Sequence, residues 1–97
     1  MSGYKVSKKA VRDITSIGEY TQKTWGLQQR RAYLSGLERA FERLSQSPKL
    51  APLRSEIDPP VRVYRYESHL IVYKDDEDGI LVLRVRHHSE DWIDSPL

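Results

Sequence analysis

Ninety-seven residues without a single cysteine make one small domain, 1–97, with neither a disulfide framework nor a thiolate metal site. The net charge of +2 conceals an asymmetry: residues 1–54 carry 11 Lys/Arg against 4 Asp/Glu, and residues 55–97 carry 5 against 10. No segment reaches the roughly 20 apolar residues that span a bilayer, and no signal-peptide stretch opens the chain, so a cytoplasmic setting without membrane contact is expected.

Tyr4-Lys-Val6 reads as a short opening strand. Ser7 stands where a helix N-cap should, since its hydroxyl can accept from a first-turn amide. Ala10, Val11, Ile14, Ile17 and Thr21 then recur at helical spacing. The helix is expected to stop near Trp25, because Gly26 suits the backbone that closes a helix. A second helix runs from about Leu27, with Tyr33, Leu34, Leu37, Ala40, Phe41 and Leu44 on one face. Ser47-Pro48 ends it. Two amphipathic helices joined at one glycine make a helical hairpin.

Prolines 48, 52, 59 and 60 make residues 47–60 a stiff, irregular connector. Three strands follow, over about 61–67, 69–75 and 80–88, with Asp78-Gly79 as the hairpin turn between the last two. Simple alternation puts Leu81, Leu83 and Val85 on one face of the last strand, and Val82, Arg84 and Arg86 on the other. The helical hairpin is expected over the leucine face. The opposite face, with Ile71, Tyr73 and Val82 beside Arg84, is then left as a groove for a partner. The fold class is α+β: an N-terminal strand, then a helical hairpin packed on one face of a small, mainly antiparallel sheet, in the order β-α-α-β-β-β.

The cluster Arg84, Arg86, His87, His88, with Trp92 just beyond, is the candidate for handling an anionic or protein partner. Metal binding by His87 and His88 is not expected, because neighbouring strand residues point to opposite faces. The glycines are dispersed and form no phosphate cradle, and no cofactor is implied. Cleavage of RNA through its 2′-hydroxyl needs a base, an acid and cations on the phosphate. Arg65, Arg84, Arg86 and His88 supply those types if they converge on one concave face.

The order of elements resembles the RelE/ParE toxin superfamily over nearly the whole chain. It is closest to the ParE branch: "YTQKTWG" from Tyr20, Tyr33-Leu-x-Gly-Leu-x-x-Ala-Phe-x-x-Leu44, "PKLAPLRSEI" after Ser47, and "HLIVYKDDEDGILVLRVRHHSEDW" to Trp92. ParE-like members poison DNA gyrase and block replication, and a ParD antitoxin neutralises them. RelE-like members cut messenger RNA on the ribosome. Ribonuclease members carry Arg after the strand histidine, where this chain has Leu70. They also end the last strand in His-Tyr, where this chain has His88-Ser89. The resemblance therefore implies a non-enzymatic gyrase inhibitor, meeting DNA only through gyrase or antitoxin. The expected target surface is Arg84, Arg86, His87, His88 and Trp92. The expected antitoxin surface is Ile71, Tyr73, Val82 and Arg84.

Overall fold

The computed structural model describes residues 3–97. Strand β1 (Gly3–Val6) leads into α1 (Lys8–Trp25) and α2 (Leu27–Gln46). A 3₁₀ turn (Pro48–Leu50) and four strands follow: β2 (Leu53–Arg54), β3 (Val61–Tyr66), β4 (His69–Asp76) and β5 (Gly79–His87). The sheet order is β1-β5-β4-β3-β2. β1 runs parallel to β5 and every other pair is antiparallel. This is the α+β arrangement expected, with β2 added. Two residues flanked by Pro52 carry no periodic signal, yet Leu53 and Arg54 pair with Arg62 and Val61.

The hairpin is built from local chemistry. Ser7 Oγ accepts from the Ala10 amide at 3.0 Å and donates to the Leu83 carbonyl at 2.7 Å. One hydroxyl thus caps α1 and ties it to β5, a cap worth about 1 kcal/mol. Gly26, at φ 95°, sits in a backbone region that L side chains avoid, so α1 ends and α2 restarts within one residue. Ala10 and Ile17 of α1 meet Leu37, Phe41 and Leu44 of α2 over the sheet. Val11, assigned to the same stripe by spacing, is half exposed.

The face of β5 that meets the helices differs from the expectation. Tyr73 pairs with Val82, but Val72 pairs with Arg84, so Leu83 is an extra, bulged residue. Past a bulge the in-and-out alternation inverts. Ile80, Val82 and Val85 consequently all face the hairpin, with Ile71 and Tyr73 beside them. Leu83 packs on the other side with Ile57, Val61, Val72 and Trp92.

That other side is not an open groove. The C-terminal segment folds across it, burying Trp92 against Ile57, Val61 and Val72, with Leu97 alongside. The Arg54 guanidinium lies 6.0 Å from the Trp92 ring. The sheet is therefore covered on both faces, by helices on one and by the chain's own tail on the other. Among the described residues no helix is long and apolar enough to cross a membrane.

Candidate functional site

The arginines singled out from the sequence are committed to internal contacts. Arg84 makes a forked pair with Asp13 of α1, Nε to Oδ2 at 2.7 Å and Nη2 to Oδ1 at 3.0 Å. Asp13 Oδ2 also accepts from the Val85 amide at 2.9 Å. The carboxylate thereby satisfies an edge amide of β5 beyond the end of β1, where no strand does so. The hydrogen bonds that Arg84 donates to Asp13 raise the arginine's pKa above the ordinary value.

Arg86 donates to Glu90 Oε2 from Nε and Nη2, at 3.2 and 3.0 Å, and from Nη1 to the Ser95 carbonyl at 3.0 Å. Glu90 Oε1 accepts from the His87 amide at 2.8 Å. Burial pushes the Glu90 carboxyl up, but the His87 amide and Arg86 outweigh it and hold it below its usual range. Arg65 Nε donates to the Glu67 carbonyl.

Strand pairing places Arg65, Leu70 and Arg86 in one row across the sheet, with Arg84 on the same face opposite Val72. Shared face is not shared function: Arg84 and Arg86 each grip a carboxylate, and His88 is exposed beyond the strand end. The four do not assemble into a phosphate-binding constellation. Trp92, expected on the target surface, is only 6% exposed, because it anchors the tail. Ile71, Tyr73 and Val82, expected to meet an antitoxin, are each 0% exposed. Val82 lies on the turn side of the bulge, on the same hairpin-covered face as Ile80, Ile71 and Tyr73.

The open cleft lies elsewhere, where the tip of the hairpin meets the ends of β4 and β5. It encloses about 750 Å³ and is lined by Tyr20, Trp25, Tyr33, His69, His87 and Glu90, among others. Tyr33 from α2 holds His69, with Oη 2.6 Å from Nδ1. The Ser68 amide donates to the same Tyr33 oxygen at 3.3 Å. Burial raises the Tyr33 pKa against that donation. Burial, then the neighbouring His87, lowers the pKa of His69. Both groups are thus kept neutral at pH 7, and the phenol donates to the imidazole.

His87 stands opposite His69 with ring centres 5.3 Å apart and edge to face, and His88 stacks on His87 at 4.7 Å. The two adjacent histidines lie side by side rather than on opposite faces because β5 ends at His87. Among the described residues no group of three His, Asp or Glu side chains is placed to hold a metal ion.

Sequence reasoning missed this cleft. Counting back from the turn, where Asp76 faces Gly79, pairs His69 with Arg86; the bulge moves the partner to His87. Tyr20 and Trp25 carried a signal, since both lie outside the apolar stripe of α1 and so stay in solvent.

A family model described as "ParE toxin of type II toxin-antitoxin system, parDE" matches residues 4–92. The chain belongs to the ParE toxin family. Toxin ParE1 of Mycobacterium tuberculosis is 31% identical over 91 residues, covering 93% of each chain. Toxin ParE of Escherichia coli is 32% identical over 71 residues, covering 73% of this chain and 69% of its own length. A solved structure titled "Chromosomal ParDE TA system from P. aeruginosa" superposes with a TM-score of 0.76 at 19% identity, over 90% of this chain and 96% of that one. At that identity the superposition establishes the fold alone. This ParE-type chain is thus a toxin of a type II toxin–antitoxin system, built on the sheet and hairpin described above.

Proposed function

We propose that this ParE-type toxin acts by binding DNA gyrase and blocking replication, without chemistry of its own, and that a ParD-like antitoxin neutralises it. The observation that carries the reading is the use made of the arginines. A ribonuclease of the RelE type needs cations free to meet a crowded phosphate. Here Arg84 is spent on Asp13 and Arg86 on Glu90 and the Ser95 carbonyl. The geometry therefore supports a protein that works as a surface. Of the residues expected to meet the target, His87 and His88 stay accessible, whereas Arg84, Arg86 and Trp92 hold the fold.

The antitoxin contact moves with the buried residues. An apolar groove of about 350 Å³ runs between the hairpin and β1, lined by Tyr4, Val6, Val11, Ile14, Leu34 and Phe41. Residues 1–54, which supply that groove, carry the net +7. An acidic, partly disordered antitoxin tail would lay its apolar side into the groove and meet the basic flanks.

The test is a gyrase supercoiling reaction titrated with purified toxin. Loss of supercoiling, restored by antitoxin, is expected. Full supercoiling activity together with cutting of messenger RNA on translating ribosomes would overturn the reading.

A further inference from the structure

Three features meet in the cleft at the hairpin tip, and the toxin–gyrase reading uses none of them fully. First, two of the chain's three histidines, His69 and His87, line the cleft, and His88 stacks on His87 from outside it, so that Tyr33, His69, His87 and His88 follow one another at centre-to-centre distances of 5.5, 5.3 and 4.7 Å. Second, Tyr20 and Trp25 line the same cleft while 66% and 71% exposed, the two aromatic residues most open to solvent. Large aromatic surface left in water at one place marks a binding site. Third, the carboxylates beside the imidazoles, Asp13 and Glu90, are already neutralised by Arg84 and Arg86. Neither carboxylate is therefore left uncompensated beside the imidazoles.

We propose that this cleft binds a nucleotide unit of a single-stranded nucleic acid, with Trp25 and Tyr20 stacking on the base and the histidine row meeting the phosphate. The two halves of the cleft match the two halves of the ligand. Every base has a π-face, so exposed aromatic rings hold it with little regard to sequence. The hydrogen-bond network prepares the imidazoles for an anion. Tyr33 donates into His69 Nδ1, and the Ser89 amide donates into His87 Nδ1. Each ring therefore carries its proton on Nε2, as a donor. Gln29, Ser16 and Ser68 also line the cleft and offer donors and acceptors to a base edge. A duplex does not fit this chemistry, because its bases are stacked on one another and closed to a side chain. No Lys or Arg lines the cleft, so binding here draws on stacking more than on phosphate charge.

The inference stands independently of gyrase, and its test reads binding, with toxicity used only to tell a strand from a protein as the occupant. The full-length toxin is titrated into fluorescein-labelled eight-nucleotide single strands of DNA and of RNA, and into a duplex of equal length, by fluorescence anisotropy. Single strands are expected to bind more tightly than duplex, with quenching of tryptophan emission. Stacking on one base changes affinity by about 5- to 150-fold, so Trp25→Ala and Tyr20→Ala should each weaken binding within that range. Lys49→Ala, at the far end of the molecule beside the acidic turn, should leave it unchanged. Because Trp25 and Tyr20 are exposed, both variants should keep the melting temperature of the parent. The slope of log affinity against log salt should be shallower than about −2, fewer than three phosphate contacts; a steeper slope would assign binding to the basic helices and overturn the proposal. Equal affinity for duplex, or undiminished affinity in Trp25→Ala, would also overturn it. If Trp25→Ala abolishes toxicity in a protein that binds no strand, the cleft is a protein-docking surface instead.

Discussion

Replacing Arg84 by Ala tests whether the basic cluster is structure or surface. Read as an exposed strand residue, Arg84 should cost no more than about 0.5 kcal/mol on removal. The structure gives a different magnitude. The Arg84 side chain is 20% exposed and that of Asp13 is 15% exposed, and the pair is forked rather than single. Exposed pairs contribute about 0–1 kcal/mol, and breaking a fully buried one costs about 3–5 kcal/mol. A mostly buried pair, whose carboxylate keeps one backbone amide as a partner, falls between, at about 2–3 kcal/mol. At roughly 2.1 cal/mol/K per residue, a chain of this length unfolds with an entropy near 0.2 kcal/mol/K. Arg84→Ala should therefore lower the melting temperature by about 10–15 °C. Far-UV circular dichroism of the purified toxin reads this directly. A double-mutant cycle with Asp13→Ala should return a coupling of about 1–2 kcal/mol. A fall of less than about 3 °C, corresponding to well under 1 kcal/mol, would refute the argument and return Arg84 to the surface.

Two further perturbations follow from the same packing. His69 has a folded pKa below its ordinary 6.5, so the unfolded chain binds its proton more readily. Its contribution is therefore fully present above about pH 6.5 and is lost as the pH falls below that value. The urea midpoint should drop between pH 7.5 and 5.5, and His69→Gln should flatten that drop; an unchanged pH slope in the variant would show that His69 is not its source. Trp92→Ala should cost about 3–5 kcal/mol and open the tail to limited proteolysis near its C-terminal end, whereas Trp92→Phe should be much milder. Equal protease resistance in parent and Trp92→Ala would mean that the tail is held without its anchor.

The parts of the fold that were readable are those where one residue type does one job. Ser7 caps, Gly26 breaks, and the apolar spacing through Leu37, Phe41 and Leu44 repeats at the helical period, so the hairpin emerges from local chemistry. The last strand resists such reading. Ile80 through Leu83 and Val85 are all apolar, so no polar alternation reveals the bulge at Leu83, and a one-residue shift exchanges the faces of everything beyond it. With no polar marker on either face, the hairpin is expected over Leu81 and Leu83, whereas it covers Ile71, Tyr73 and Val82, and the pairing of His69 with His87 is hidden by the bulge. Trp92 was ambiguous for another reason: a tryptophan after the last strand serves equally as an anchor or as a contact, and only the pocket formed by Ile57, Val61 and Val72 distinguishes them. The pairing of Arg84 with Asp13 joins residues 71 positions apart, a relation that no local pattern carries.

The measurement that tests the central claim most directly is the fate of supercoiled plasmid incubated with gyrase, ATP and the purified toxin, stopped with detergent and protease. The account predicts linear DNA that accumulates with toxin, requires gyrase, and disappears when antitoxin is added first. Plasmid that stays uncut at every toxin concentration, from a toxin that still arrests growth, would contradict it.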